Sequence, residues 1–316
     1  MTGEIIFWSA VGLLSLVLII RSAENALKSI IRFAEETKIT YYFIGLFIVS
    51  IGTSLPEIFT SIISSIEGNP QLVIGDAMGA TIVDVTLVIG ITLFFARKLK
   101  MTGKELHIVP WKILAIVILP LLLAIDGRFD RIDGVLLILG FILYYLYHII
   151  KEFKLQDLKK TISPLFVGRE TLIFGVSLAV LMFGVQLLVL SSTKLSGLLN
   201  FPSYLFGALI LGLATTSPEF IIEIKAVSRH ESAPIAFGDI FGSVLCNSTL
   251  VLGLAALIRP VDLDYFQFYS VAAFMMLAIL FSLWCLKKKE LTWTMGIGMV
   301  AVYVVFIIVH VMTLIR

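Results

Sequence analysis

The sequence predicts an all-α membrane protein of ten transmembrane helices arranged as two inverted five-helix repeats. Three observations carry that expectation. The 316 residues are 59% hydrophobic and 15% charged, with a mean hydropathy of +1.03, whereas soluble domains average roughly 45–50% apolar and about 25% charged. Apolar stretches close to the length that crosses about 30 Å of hydrocarbon recur ten times. Two segments of the first half also return in the second, and such self-similarity marks repeat architecture. A net charge of +2, from 24 basic and 22 acidic residues, lacks the basic excess of a nucleic-acid binder. Cys246 and Cys285 both lie in apolar runs, so neither a disulfide framework nor a CxxC metal site is on offer.

The first stretch, near residues 5–20, follows no Lys or Arg, so the basic leader of a cleavable signal peptide is not expected. The second and third, near 41–66 and 71–96, are long. The fourth and fifth, near 111–125 and 134–150, are short like the first, and the turn Asp126-Gly-Arg128-Phe-Asp130-Arg131-Ile-Asp133 between them is too polar for hydrocarbon. A connector around 151–167 reads as a short polar linker or surface helix. The second half, 161–316, then repeats the plan of the first, 1–160, with stretches near 168–193, 203–228, 232–258, 266–286 and 291–315. Loops after odd-numbered stretches hold 19 Lys and Arg against 5 elsewhere. Basic residues collect in the cytoplasm, which predicts a multi-pass cell-membrane protein with both termini outside. No loop is long enough to fold alone, so function must lie inside the bundle.

The repeat locates it. Gly45 to Ile62, GLFIVSIGTSLPEIFTSI, returns at Gly207 to Ile224 as GALILGLATTSPEFIIEI, an offset of 162. Gly75 to Gly90, GDAMGATIVDVTLVIG, returns at Gly238 to Gly253 as GDIFGSVLCNSTLVLG, an offset of 163 with seven identities in sixteen positions. The motif regions, 45–90 and 207–253, lie five spans apart, and an odd number reverses orientation. Broken helices meeting at the midplane of inverted repeats form the substrate site of many transporters. The breaks are supplied by Pro56 and Pro218, which have no N–H for the carbonyls of Gly52 and Ala214. Hydroxyls of Thr53, Ser54, Thr215 and Thr216 stand within one turn, and Glu57 and Glu219 one residue on. Backbone oxygen freed at membrane depth must be buried in protein or line a wet cavity, which describes a hard-cation site.

Glu57, Asp84, Glu219 and Asn247 fall near the centres of their spans, where an ionised side chain costs at least about 2.5–3.5 kcal/mol. Spans two, three, seven and eight carry no Lys or Arg apart from Lys225 and Arg229 at one end and Arg259 just beyond. Three carboxylates without counter-charge require protons or metal ions. Oxygen ligation suits Ca²⁺ and Na⁺, and the absence of His beside the carboxylates disfavours zinc or copper.

At these residues the sequence resembles the cation/Ca²⁺ antiporter superfamily, closest to its prokaryotic Na⁺/Ca²⁺ exchanger branch. Gly52-Thr53-Ser54-Leu55-Pro56-Glu57 looks like the family's first α-repeat motif unchanged, and Ala214-Thr215-Thr216-Ser217-Pro218-Glu219 is similar to the second. The resemblance implies that Glu57 and Glu219 bind ions from both repeats and that Asp84 and Asn247 face them. It places Ser54, Thr216, Thr53, Thr215 and Ser243 at hydroxyl and carbonyl positions, and Ser50 and Gly212 at positions of backbone oxygen. It implies alternating access with Ca²⁺ and Na⁺ (or H⁺) as transported ions and no cofactor, in a chain working as a monomer whose partners are inorganic cations and the bilayer. Three departures bear on the counter-ion: Asp76 and Asp239 where Asn is usual, Ala80 where Ser is usual, and Thr81 and Val244 where Asn is common.

Blander readings stand beside these. Glu57 and Glu219 could be protonated structural acids, Asp84 and Asn247 interhelical packing bonds, and Asp76 and Asp239 caps of half-helices. Glu223, one turn beyond Glu219 toward the cytoplasm, could line the inner entrance but reads first as an acid directed to the surface, and His107, His148, His230 and His310 read as interfacial. A proton-coupled exchanger is the nearest functional rival. A passive channel fits an inverted repeat poorly, and no HExxH or other catalytic motif supports an enzyme.

Overall fold

The computed structural model describes residues 2–35, 44–100, 105–153, 164–217, 219–220, 223–224, 233–288 and 290–315. Among these, seven helices are long and apolar enough to cross a membrane: Thr2–Ala26, Pro70–Ala96, Arg131–Ile150, Gly168–Leu198, Phe237–Ile258, Tyr265–Cys285 and Trp293–Thr313. Three shorter apolar helices, Leu55–Ile66, Leu114–Asp126 and Ser203–Thr215, occupy the remaining places in the order. None of the three stretches expected to be short is short, and the fourth belongs to a helix over Glu105–Leu123. The first helix runs over Thr2–Glu35 and the fifth over Arg131–Phe153, because charged residues such as Arg21, Glu24 and Lys151 continue the helical ladder beyond the apolar segment. Residues 154–163, most of the expected connector, lie outside the described residues.

The polar turn between the fourth and fifth helices nucleates the fifth. Asp130 Oδ1 accepts from the backbone N–H groups of Ile132 at 2.7 Å and Asp133 at 3.0 Å, while Asp133 Oδ2 accepts from Asp130 N–H at 2.8 Å. This reciprocal capping satisfies donors that a helix start leaves open. The Asp133 amide, with that of Ile132 and the nearby Arg128, holds the Asp130 carboxyl below its usual range.

Polarity is distributed inside out. Ile6, Leu13, Leu172, Phe183 and Ile308 are exposed, as surfaces bathed in lipid require. The interior instead buries Ser, Thr, Asp and Glu side chains together with an apolar core drawn from both halves. We label the elements that matter for the site α1 (Thr2–Glu35), α2 (Leu55–Ile66), α3 (Pro70–Val83), α4 (Ile89–Ala96), α5 (Arg131–Phe153), α6 (Pro164–Leu198), α7 (Ala233–Leu245), α8 (Leu252–Ile258) and α9 (Trp293–Ile315).

Contacts between the halves come in matched pairs. Helix α3 crosses the segment 203–215, and α7 crosses the segment 44–53. Helix α9 packs on α4, and α5 packs on α8. Two antiparallel ribbons follow the same rule: β1 (Lys98–Lys100) pairs with β4 (Glu290–Thr292), and β2 (Arg128–Phe129) with β3 (Val261–Asp262). The register Lys98 to Thr292 and Leu99 to Leu291, moved by 163, becomes Val261 to Phe129 and Asp262 to Arg128, which is the register of the second ribbon. The shared first helices of each half, α1 and α6, lie against one another.

The crossings at α3 and α7 are close because glycine permits it. A Cβ at Gly79 would overlap the backbone of Ala208, and one at Gly242 would overlap Ser50 and the carbonyl of Leu46. Ala208 and Leu46 are themselves repeat mates. We expect Gly79→Ala to lower the melting temperature of the detergent-purified protein, because backbone cannot retreat as a flexible side chain could. Gly175→Ala, on a helical site with nothing within 4 Å, should instead stabilise by roughly 0.5–1 kcal/mol.

Candidate functional site

The helices carrying the two proline motifs break at equivalent residues. Ser54 has φ −78° and ψ 7°, and Thr216 has φ −74° and ψ 2°, both in the sparsely used bridge region between helix and strand. Pro56 sits in the first turn of α2, where a missing N–H costs nothing. Pro218 lies outside the described residues, and the carbonyl of Ala214 that it was expected to free accepts instead from the Ser217 hydroxyl.

A second irregularity was not foreseen. Among the described residues four π turns interrupt the helices, at Ile44–Val49, Asp84–Val88, Gly207–Leu211 and Cys246–Val251. They form two repeat-related pairs at the crossings of the halves. Such turns carry one extra residue per bulge and cluster at functional sites. Asp84 opens one of them and Asn247 is the second residue of another.

Hydroxyls and carboxylates then tie one repeat to the other. Thr53 Oγ1 donates to Asp239 Oδ1 at 3.0 Å, and Thr215 Oγ1 donates to Asp76 Oδ1 at 3.0 Å. Each bond is the other moved along by one repeat. Asp76 and Asp239 lie in the middle of α3 and α7 rather than at a helix start, which overturns the capping reading. Ser54 Oγ reaches Ser243 Oγ at 3.2 Å. The mates of those two residues are Thr216 and Ala80, and since Ala80 has no hydroxyl, Thr216 turns back to the Gly212 carbonyl at 2.9 Å. Ser50 Oγ donates to the Leu46 carbonyl at 2.5 Å, and its own carbonyl accepts from Ser54 N–H at 2.9 Å. Gly212 lies against Ala80 and Asp76 of α3.

Six carboxylates, Glu57, Asp76, Asp84, Glu219, Glu223 and Asp239, are at most 1% exposed. Both oxygens of Glu57, Asp84 and Glu223, and one oxygen each of Asp76, Glu219 and Asp239, have no hydrogen-bond partner, and neither does Asn247 Oδ1. Glu57 is close enough to Asp76, Asp84, Glu219 and Asp239 for their charges to repel. Among the described residues no Lys or Arg is buried. At about 2.5–3.5 kcal/mol each on the lenient scale, six bare carboxylates would cost more than the roughly 5–15 kcal/mol that holds a protein folded. The cluster must therefore be neutralised, by protons or by bound cations. Among the described residues no three His, Cys, Asp or Glu side chains converge as a cage, so an ion here would also draw on hydroxyl, amide and carbonyl oxygens.

Two expectations fail by burial. Glu223 was read as directed to the surface and is fully enclosed, and His310 was read as interfacial but is 1% exposed. His310 instead lies within 2.9 Å of the Phe306 carbonyl and 3.2 Å of Ser270 Oγ. His148 is half-buried against the rings of Phe47 and Tyr144. His230 and the side chain of His107 lie outside what the structure describes.

Comparison with known proteins bears on this arrangement. The family described as "Sodium/calcium exchanger protein" matches over residues 8–150 and over 170–312. The chain belongs to that family. The two matched segments are themselves 162 residues apart, the spacing of the motifs. Family membership makes the chain a transporter of inorganic cations in a membrane and not an enzyme. Curated relatives include inner membrane protein YrbG of Escherichia coli, 28% identical over 301 residues and covering 89% of both chains. The sodium/calcium exchanger MaX1 of Methanosarcina acetivorans is 23% identical over 350 residues, covering 94% of this chain and 96% of its own. Among solved structures, the sodium-calcium exchanger NCX_Mj soaked with 10 mM Na⁺ and zero Ca²⁺ shares the fold, with a TM-score of 0.70 at 23% identity, covering 96% of this chain and 98% of that one.

In this exchanger-family chain the two Asp–Thr bonds should behave as coupled pairs. Combining Thr215→Val with Asp76→Asn should destabilise less than the sum of the single changes, by about 1.5–3 kcal/mol, the range for hydrogen bonds to charged groups. A double-mutant cycle on denaturation of the purified protein measures it.

Proposed function

We propose that the chain is a secondary antiporter that exchanges Na⁺ for Ca²⁺ by alternating access, through ten spans arranged as the inverted halves 1–160 and 161–316. The observation that carries this reading is the set of enclosed carboxylates in two reciprocal copies of one motif, without a buried cationic side chain among the described residues. Glu57 and Glu219 supply the central charge, one from each half. Asp84 and Asn247 face them, Thr53, Ser54, Thr215, Thr216 and Ser243 add hydroxyl or carbonyl oxygen, and Ser50 and Gly212 add backbone oxygen. Six to eight oxygens of this mixed kind suit Ca²⁺. The name of the relative MaX1, a sodium/calcium exchanger, points to Na⁺ as the counter-ion.

The ribbons support ten crossings. Paired strands share a side of the bilayer, so β2 and β3 require an even number of crossings between residues 129 and 261. The helices from Arg131, Pro164, Ser203 and Ala233 supply four if each crosses once. The first ribbon lies among Arg97, Lys98, Lys100, Lys287 and Lys288 with Glu290, whereas the second lies among Asp126, Asp130, Asp262 and Asp264 with Arg128, Arg131 and Arg259. Basic residues mark the cytoplasmic side, which sets both termini outside.

A proton-coupled exchanger is the second reading, favoured by Ala80, which removes one hydroxyl, and by the buried acids Asp76 and Asp239 with an unpartnered oxygen each. Proteoliposomes separate the two. An outward Na⁺ gradient should drive Ca²⁺ uptake and a pH gradient alone should not; the reverse result assigns protons. Glu57→Gln or Glu219→Gln should reduce uptake to background in protein that remains monodisperse, and wild-type flux in either variant would remove that carboxylate from the mechanism.

A further inference from the structure

Glu223 is used by none of the roles above. It is fully enclosed, and neither of its oxygens has a hydrogen-bond partner. It follows Glu219 by four residues in the sequence, and both residues have helical backbone; four is the spacing that puts two side chains on one face of a helix, about 6 Å apart. The carboxylates that act on it through the field are Asp239 and Asp84.

Its repeat mate explains why it is unusual. That mate is Ser61, 162 residues earlier, whose hydroxyl donates to the Val251 carbonyl at 2.7 Å. The bond ties α2 to the last residue of the π turn Cys246–Val251. The equivalent of Val251 in the first half is Val88, the last residue of the π turn Asp84–Val88. If the repeat extends to this position, a serine at 223 would correspond to the tie and donate to that turn. A carboxylate offers only acceptors to a region already rich in acceptors. Two sets of acceptors hold together through a shared proton or a shared cation.

We propose that Glu223 is a further ligand for a hard cation, extending the ion path one helical turn beyond Glu219 toward the π turn at Asp84, on one side of the molecule only. This rests on the exchanger reading for the path but not for the binding itself. The first half has a closed hydroxyl tie at the corresponding place, so the two half-paths differ in charge by one carboxylate.

The test compares wild type, Glu223→Gln and Glu223→Ser by calorimetric titration of the purified protein with Ca²⁺ and, separately, with Na⁺. Ca²⁺ uptake is measured on the same preparations in proteoliposomes. Both variants should lose about tenfold or more in affinity for at least one of the two ions. Wild-type binding of both ions by the variants would overturn the proposal, because a neutral acid donating to a backbone carbonyl is replaced without loss by the Gln amide. Glu223→Ser installs the partner geometry of Ser61 and keeps the test open if the Gln variant does not fold. A wild-type protein that binds ions but exchanges none refutes the exchanger reading and leaves this comparison standing. A wild type that binds neither ion refutes both.

Discussion

Uncompensated negative charge in a dry interior is the constraint from which the rest of the architecture follows. Six acids cannot stay ionised and bare at membrane depth, and no buried Lys or Arg among the described residues neutralises them. The interior must therefore either hold these acids protonated or supply oxygens that receive a cation beside them. That requirement accounts for features that a stable bundle would otherwise avoid: helices broken at Ser54 and Thr216, and four turns of wide pitch. Elsewhere the bundle is regular, with leucine, isoleucine and phenylalanine facing lipid and close glycine contacts holding the crossings.

Duplication supplies the economy of the design, and departures from it carry the chemistry. The Asp–Thr bonds, the ribbons and the helix pairs are each made twice in matching register. Three places break the match. Ser54 meets Ser243 while Thr216 meets no hydroxyl, because Ala80 occupies the corresponding place. Asp84 and Asn247 are repeat mates, so one member of that pair is a carboxylic acid and the other is an amide. Glu223 replaces a serine-type tie with a carboxylate. Symmetry positions the oxygens in pairs, and at these three places the pairs differ in hydroxyl or carboxyl content.

Much of this was legible in the sequence because the signals were local. Pro56 within an apolar run announces a broken helix, and the turn around Asp130 announces a boundary through its own capping residues. Glu57, Glu219 and Asp84 stand out because charge is rare at the centre of an apolar stretch. The features that escaped depend on neighbours remote in the chain. The π turns arise where two halves cross, which no run of residues encodes by itself. Glu223 sits near Lys225 and Arg229 in sequence, which suggests a wet helix end, yet tertiary packing closes over it. His310 likewise lies near the chain end but is walled in by Phe274 and Phe306. The lengths of the first and fifth helices were underestimated because hydropathy registers the membrane-embedded part of a helix and not its polar continuation.

The exchange of partners between Asp76 and Thr215, and between Asp239 and Thr53, also governs how the two halves can change over generations. After a duplication each copy is ordinarily free to drift, one keeping the ancestral role while the other acquires a new one. Here each threonine finds its acid in the opposite copy, so a substitution in either copy alters the surroundings of its twin's motif. Compensation for such a change would arise more than a hundred residues away. The two halves differ over most of their length, but at these four residues each half completes the other's hydrogen bond.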